Sequence, residues 1–177
     1  MNKLIAFSIL IIFTFSKNSY SANIAVIDIE DLIISNNFYI KIISEINLDQ
    51  EYFSEIFKKK EKELEELQKE IDNAKLILDN QEINKMINNY NIELSKFSSK
   101  IDSFNLHYQD QIIEIRKLML KVIIEIAENY AKNNNIDVIL DESNYLIASN
   151  TLNITSVLKK ELEKIEINLK FEKFEKN

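Results

Sequence analysis

Residues 57–101 read FKKKEKELEELQKEIDNAKLILDNQEINKMINNYNIELSKFSSKI, and the spacing of apolar side chains in this stretch decides the architecture. In its first part Phe57, Leu64, Leu67, Ile71, Ala74 and Leu78 recur at heptad intervals, which puts them on one stripe of a helix. Ile87, Tyr90, Leu94, Phe97 and Ile101 form a second stripe, which continues through Phe104, Tyr108, Ile115, Leu118 and Val122. The two are out of phase. Extending the first would bring Lys85 and Asn88 into the seam, so the pattern restarts where Asn80, Gln81 and Asn84 cluster. A long antiparallel helical hairpin with its tip near 79–84 follows. Its seam is Leu64, Leu67, Ile71 and Ala74 against Ile87, Tyr90, Leu94 and Phe97. A turn at Asn80-Gln81 sets Ala74 opposite Ile87, Ile71 opposite Tyr90, Leu67 opposite Leu94, Leu64 opposite Phe97 and Phe57 opposite Phe104.

On either side of the hairpin lie short strand-like runs. Ile24 to Ile29 precedes it, while Ile136 to Leu140 and Tyr145 to Ala148 follow, joined by a turn at 141–144. Asn153 then caps a helix to about Lys164, with Val157, Leu158 and Leu162 as its stripe. The segment from Ile165 to Phe171 alternates apolar with polar residues and fits a strand, a helical continuation or a frayed tail equally. Glycine and proline are absent from all 177 residues, so asparagine must serve the breaks, at Asn36-Asn37, Asn133 to Asn135 and Asn150. The fold class is therefore α+β, a small β body carrying a coiled-coil arm. Three short strands with open edges are too little sheet to stand alone, and pairing of edges between chains would close them.

The N-terminus reads as a cleavable secretory leader. Lys3 precedes an apolar run from Leu4 to Phe15, and Ser19 and Ser21 occupy the −3 and −1 positions before Ala22. A run of twelve residues, ten of them apolar, falls short of the roughly twenty that span a bilayer. The layout is then a signal peptide at 1–21, a body in two parts at 22–48 and 115–164, the arm at 49–114 and a C-terminal extension at 165–177. Cysteine is absent, so neither a lipid anchor at the cleavage point nor a disulfide is available.

Charge and composition narrow the function. Losing Lys3 and Lys17 moves the formal net charge from −7 to −9, and the arm holds fifteen acidic residues against nine lysines. Nucleic-acid binding draws on cationic surface and is disfavoured; nor does the charge imply contact with a membrane surface. The triplet Lys58-Lys59-Lys60 is followed by Glu61, Glu63, Glu65 and Glu66 and reads as a solvated, ion-paired face. Without glycine, neither a phosphate-cradling loop nor a nucleophile elbow can be built. The single histidine, His107, has no cysteine or second histidine with which to form a soft metal site. Asp137 and Asp141 share a strand face and are explained by capping or solvation. No enzyme and no cofactor is expected. Leu76, Ile77, Ile83, Met86 and Ile92 lie off the seam near the tip, where they either widen the hairpin core or offer a greasy client-binding surface.

The combination of Ile24-Ala25-Val26-Ile27-Asp28 with Leu32, the hairpin, Ile136 to Asp141, and Asn153-Ile154-Thr155 before a terminal helix resembles the Skp/OmpH family of periplasmic chaperones. The resemblance implies a homotrimer in which Ile24, Val26, Ile136, Val138 and Leu140 help build a small β-barrel body. Three arms would surround a cavity that holds unfolded outer-membrane proteins in the periplasm without ATP. This chain departs from the strongly basic members of that family in being acidic, and its residues 165–177 run past the usual end. The alternative of a different class is a coiled-coil envelope tether or spacer anchored by an uncleaved leader.

Overall fold

The computed structural model describes residues 21–175. The leader, residues 1–21, therefore lies outside the described residues save for its last position. The chain runs β1 (Ile24–Ile27), α1 (Ile29–Ile34), α2 (Asn37–Ala74), α3 (Asn80–Asn134), β2 (Val138–Asp141), two single 3₁₀ turns (Glu142–Asn144 and Asn150–Leu152) and α4 (Thr155–Leu162). Helices α2 and α3 contain 38 and 55 residues and pack as an antiparallel hairpin. At 1.5 Å per residue α3 extends for roughly 80 Å, far beyond the small body from which it projects.

Short polar side chains define the helix starts. Asp28 Oδ1 accepts from the Asp31 amide at 2.8 Å, Asn36 Oδ1 from the amides of Phe38 and Tyr39, and Asp79 Oδ1 from those of Gln81 and Glu82. Each satisfies donors that the first helical turn leaves open. Helix α3 ends at Asn135, whose φ of 52° is the one left-handed backbone among the described residues, with its amide donating to the Ala131 carbonyl. Asparagine does here what glycine does in most chains, because its short side chain tolerates this region.

The turn comes earlier than the sequence pattern suggested. Residues 75–79 make the reversal, and Asn80 to Asn84 form the first turn of α3. Asp79 followed three residues later by Glu82 is a capping pattern, and it outweighs the polar cluster that the heptad break had drawn attention to. The seam shifts accordingly. Phe57 packs edge-on to its expected partner Phe104 with ring centroids 5.0 Å apart, but Phe97 also lies 5.9 Å away. Further out, Tyr90 Oη reaches Gln68 Oε1 at 3.4 Å and Lys60 Nζ reaches Glu93 Oε2 at 3.1 Å.

In the body, β1 and β2 pair in parallel, Ile24 with Val138 through Ile27 with Asp141, so the entire hairpin is the crossover between two adjacent strands. The other edge of β1 makes a single bridge from Val26 to Asn153, and the Val26 carbonyl accepts the Ile154 amide. Side chains fasten these distant segments. Thr155 Oγ1 accepts the Asp28 amide at 2.9 Å, Asp141 Oδ1 accepts the Ile29 amide at 3.1 Å and Asp137 Oδ2 accepts the Asn23 amide at 2.8 Å. The two strand aspartates are thus backbone caps. Burial raises the Asp141 carboxyl, but bonds from the Ser143 hydroxyl and nearby amides outweigh this and hold it below its ordinary value.

Tyr145 to Ala148, expected as a third strand, forms no strand pairing among the described residues, and Leu146 and Ile147 are 100% and 92% exposed. A strand needs a partner edge to satisfy its amides; β1 and β2 pair with each other, β1 makes its one further bridge to Asn153, and Tyr145 to Ala148 pairs with neither of the edges that this small sheet leaves open. The core lies beneath the sheet, where Ile27, Leu32, Ile46, Met119, Ile123, Leu158 and Leu162 pack from all four helices and β1. Leu158 and Leu162 form the buried stripe of α4, whereas Val157 is exposed. The cap position of this helix is Ile154, one residue later than the sequence suggested and without a side-chain bond, while Asn153 Oδ1 accepts the Thr155 amide at 2.9 Å.

Candidate functional site

The hairpin has two chemically different ends. Near the tip the helices bury a single stripe: Leu64 and Ile71 are buried, Leu67, Ala74, Ile87, Tyr90 and Phe97 half-buried. Leu94 is not in the seam; it is exposed, and Glu93 takes the inward position opposite Lys60. Lys60 lies seven residues beyond Phe53 and four before Leu64, so it occupies a seam position that an apolar-only pattern passes over. The pair draws both groups toward their charged forms, Lys60 raised chiefly by its bond to Glu93 and Glu93 lowered chiefly by its bond to Lys60. Lys58 instead pairs locally with Glu55, as a solvated face does.

The five tip residues divide. Leu76 and Ile77 sit on the turn itself, 87% and 85% exposed, and Ile92 also faces outward, whereas Ile83 and Met86 are half-buried toward the seam. Leu78 adds a further exposed edge. Capping by Asp79 closes α3 immediately after them, so the turn has no room to fold these side chains inward.

Of the body residues, Val26 is buried, Ile136 and Leu140 are half-buried, and Ile24 and Val138 are exposed. Ile24 and Val138 are register partners at one end of the sheet. With Leu146 and Ile147 they leave apolar surface on the body, which the described residues do not cover.

At its base the hairpin is filled by aromatic rings. Phe53, Phe104 and Tyr108 pack together, and Phe174 of the C-terminal extension stands edge-on to Phe53 at 5.1 Å and to Phe104 at 5.5 Å. Phe171 stacks over Tyr108 at 6.1 Å. Below them Tyr108 Oη donates to the buried Asp49 Oδ2 at 2.6 Å, and the Phe174 amide donates to the same oxygen at 3.2 Å. Burial, then the Asp49 bond, pushes the Tyr108 hydroxyl well above its ordinary pKa. His107 Nε2 lies 2.7 Å from the Glu172 carbonyl, and since a carbonyl only accepts, that nitrogen carries the proton. The extension is therefore a docked strap with Ile167 buried in the core. Its position was not legible from its alternating pattern. Asp49, in register with Ile42, Ile46 and Phe53, was a signal available in the sequence, because a carboxylate within a buried stripe must find donors.

This arrangement of a long hairpin rising from a two-stranded parallel sheet is shared by known proteins. The family model described as "Outer membrane protein (OmpH-like)" matches residues 23–162. The chain belongs to the OmpH-like family. A crystal structure of a candidate outer membrane chaperone (OmpH-like) from Caulobacter crescentus superposes with a TM-score of 0.66 at 10% identity, covering 90% of this chain and 95% of that one. At that identity the likeness is one of fold. No curated protein matches the sequence. The strap, from Glu163 onward, lies beyond the family match.

Proposed function

We propose that this protein is a periplasmic chaperone of the holdase type, which binds unfolded outer-membrane proteins without ATP in a cavity between hairpin arms. The observation that carries this reading is the free end of the hairpin. The side chains of Leu76 and Ile77 stand out into solvent on a turn that the Asp79 cap ends, and are almost unpacked there. An exposed apolar surface on an otherwise acidic, well-capped arm suits loose contact with many apolar sequences. Several arms acting together replace strong individual contacts with avidity.

The cavity requires more than one copy. The apolar residues left exposed on the body, Ile24, Val138, Leu146 and Ile147, support assembly through the open strand edges, and the homotrimer is the assembly that the sequence resemblance implies. Neither catalysis nor a cofactor enters this reading. The leader would be cleaved to release the protein into the periplasm, giving a mature N-terminus at Ala22.

Dilution of a urea-unfolded outer-membrane β-barrel protein into buffer tests the proposal. The mature protein should keep the client soluble at about one trimer per client with no nucleotide, and light scattering reports the outcome. The chain contains no tryptophan, so client tryptophan fluorescence reports binding without background. Undiminished aggregation in the presence of excess protein overturns the chaperone reading. Solution mass tests the assembly, and Val138→Asp should dissociate it, because an interface cannot bury an unpaired carboxylate cheaply.

A further inference from the structure

The C-terminal strap is recognised in an unusual way for a structural tail. Three polar contacts with the arm run to its main chain. Gln111 Oε1 accepts the Glu172 amide at 3.3 Å, His107 Nε2 donates to the Glu172 carbonyl at 2.7 Å, and Asp49 Oδ2 accepts the Phe174 amide at 3.2 Å. The donors and acceptors come from both long helices. At the aromatic groove Phe171 and Phe174, three residues apart, contribute the side-chain specificity, through the rings of Tyr108, Phe53 and Phe104, while Ile167 anchors the strap's start in the core. Contacts to the peptide backbone are available from any sequence, and an aromatic-lined groove accepts any segment with two suitably spaced rings.

The strap also leaves its seat partly empty. Beside it is a cleft of about 600 Å³, walled by Leu48, Tyr52 and Phe53 of α2 on one side and by Phe171 and Phe174 on the other. From Glu166 to Glu175 the strap forms neither helix nor strand. Ile167 keeps its first part in the core, whereas the end from Phe171 onward is held by those three bonds and two rings and can leave without unfolding an element.

We infer that the groove at the hairpin base is a binding site for an extended polypeptide segment carrying two aromatic side chains three residues apart, and that the strap is its tethered occupant. The inference rests on the chaperone reading for its partner: unfolded β-barrel polypeptide is extended and rich in aromatic residues. A client segment displaces the strap and takes over the same main-chain bonds. Because the strap is covalently attached, it competes at a high local concentration and makes capture weak until the tip has already raised the concentration of client near the base. The seat thereby acts as a second contact, engaged after the tip.

The test uses the full mature chain and the double variant Phe171→Ser, Phe174→Ser, which loosens the strap while keeping its length. The probe is a synthetic peptide of residues 165–177 preceded by one tryptophan, read by fluorescence. The variant should bind the peptide about tenfold tighter than the wild type, as expected when the groove is open for roughly a tenth of the time in the wild type. In the variant background His107→Ala and Gln111→Ala should weaken that binding with helicity unchanged. A helical variant that binds the peptide no better than wild type overturns the inference and makes the strap a structural cover. Amide hydrogen exchange at Glu172 and Phe174 in the wild type gives the independent reading. Exchange should accelerate when unfolded β-barrel client is added. Unchanged exchange while the client is kept soluble overturns the groove and leaves the chaperone reading standing. Peptide binding by the variant without any client holding overturns the chaperone reading and leaves the groove standing.

Discussion

The base and the tip of the hairpin are built from the same repeat, yet they do opposite things with it. At the base Ile46, Tyr108 and Met119 are closed off from solvent, because α1, α4 and the strap add further layers over the two long helices. At the tip no third layer exists, so a helix can bury one stripe and must leave the rest in water. Leu76 and Ile77 are as apolar as anything in the base and are almost fully exposed. A heptad pattern therefore specifies which residues face the partner helix. Whether the other faces are covered depends on what else reaches that height.

The sharpest way to break this contrast is to remove equal volumes from the two ends. Met119→Ala should cost about 2–5 kcal/mol in urea denaturation, since the buried site cannot collapse around the gap. Leu76→Ala should stay within about 0.5 kcal/mol of wild type. Comparable losses would mean that the tip is packed by something other than the partner helix.

A smaller loss is expected from Tyr108→Phe, which takes away a donor from the buried Asp49 carboxylate and should cost about 1–3 kcal/mol. This site also has a pH signature. The Tyr108 pKa is raised on folding, so the folded state favours the neutral hydroxyl, and its contribution is complete below the ordinary tyrosine value of about 10 and is lost as pH climbs above it. Chemical denaturation across alkaline pH should show a decline in wild type that Tyr108→Phe lessens. An unaltered decline would assign it to other groups.

At the far end of α3, Asn135→Ala should cost about 1 kcal/mol because it forces a Cβ-bearing residue without a compensating polar group into left-handed backbone. Asn135→Gly should be neutral or stabilising. If both substitutions are silent, the helix ends elsewhere in solution. The least effect on stability is expected from Leu76→Ser with Ile77→Ser, which should leave the urea midpoint nearly unchanged and yet reduce the capacity to keep unfolded client soluble. Full capacity in that double variant would move client contact away from the tip.

The amino-acid pattern alone was enough for the hairpin, for the terminal helix and for the asparagine breaks at Asn36 and after Asn134, because heptad spacing and turn preferences are local properties of a few neighbouring residues. Its reading of the turn erred by a few residues where it weighed a polar cluster above the Asp79 cap. It missed Lys60 and Glu93 as seam residues, since a periodicity search scores apolar side chains and two charges enter a seam only as a pair. Tertiary structure alone decided that β1 pairs in parallel with β2 across the whole length of the arm, that Tyr145 to Ala148 is left without a partner, and that the last residues fold back onto Asp49 and Tyr108. The two strands, and likewise Phe174 and Asp49, lie more than a hundred residues apart, and Phe171 lies more than sixty from Tyr108. No local preference encodes such a pairing; it is settled when competing edges and apolar surfaces are brought to the same place.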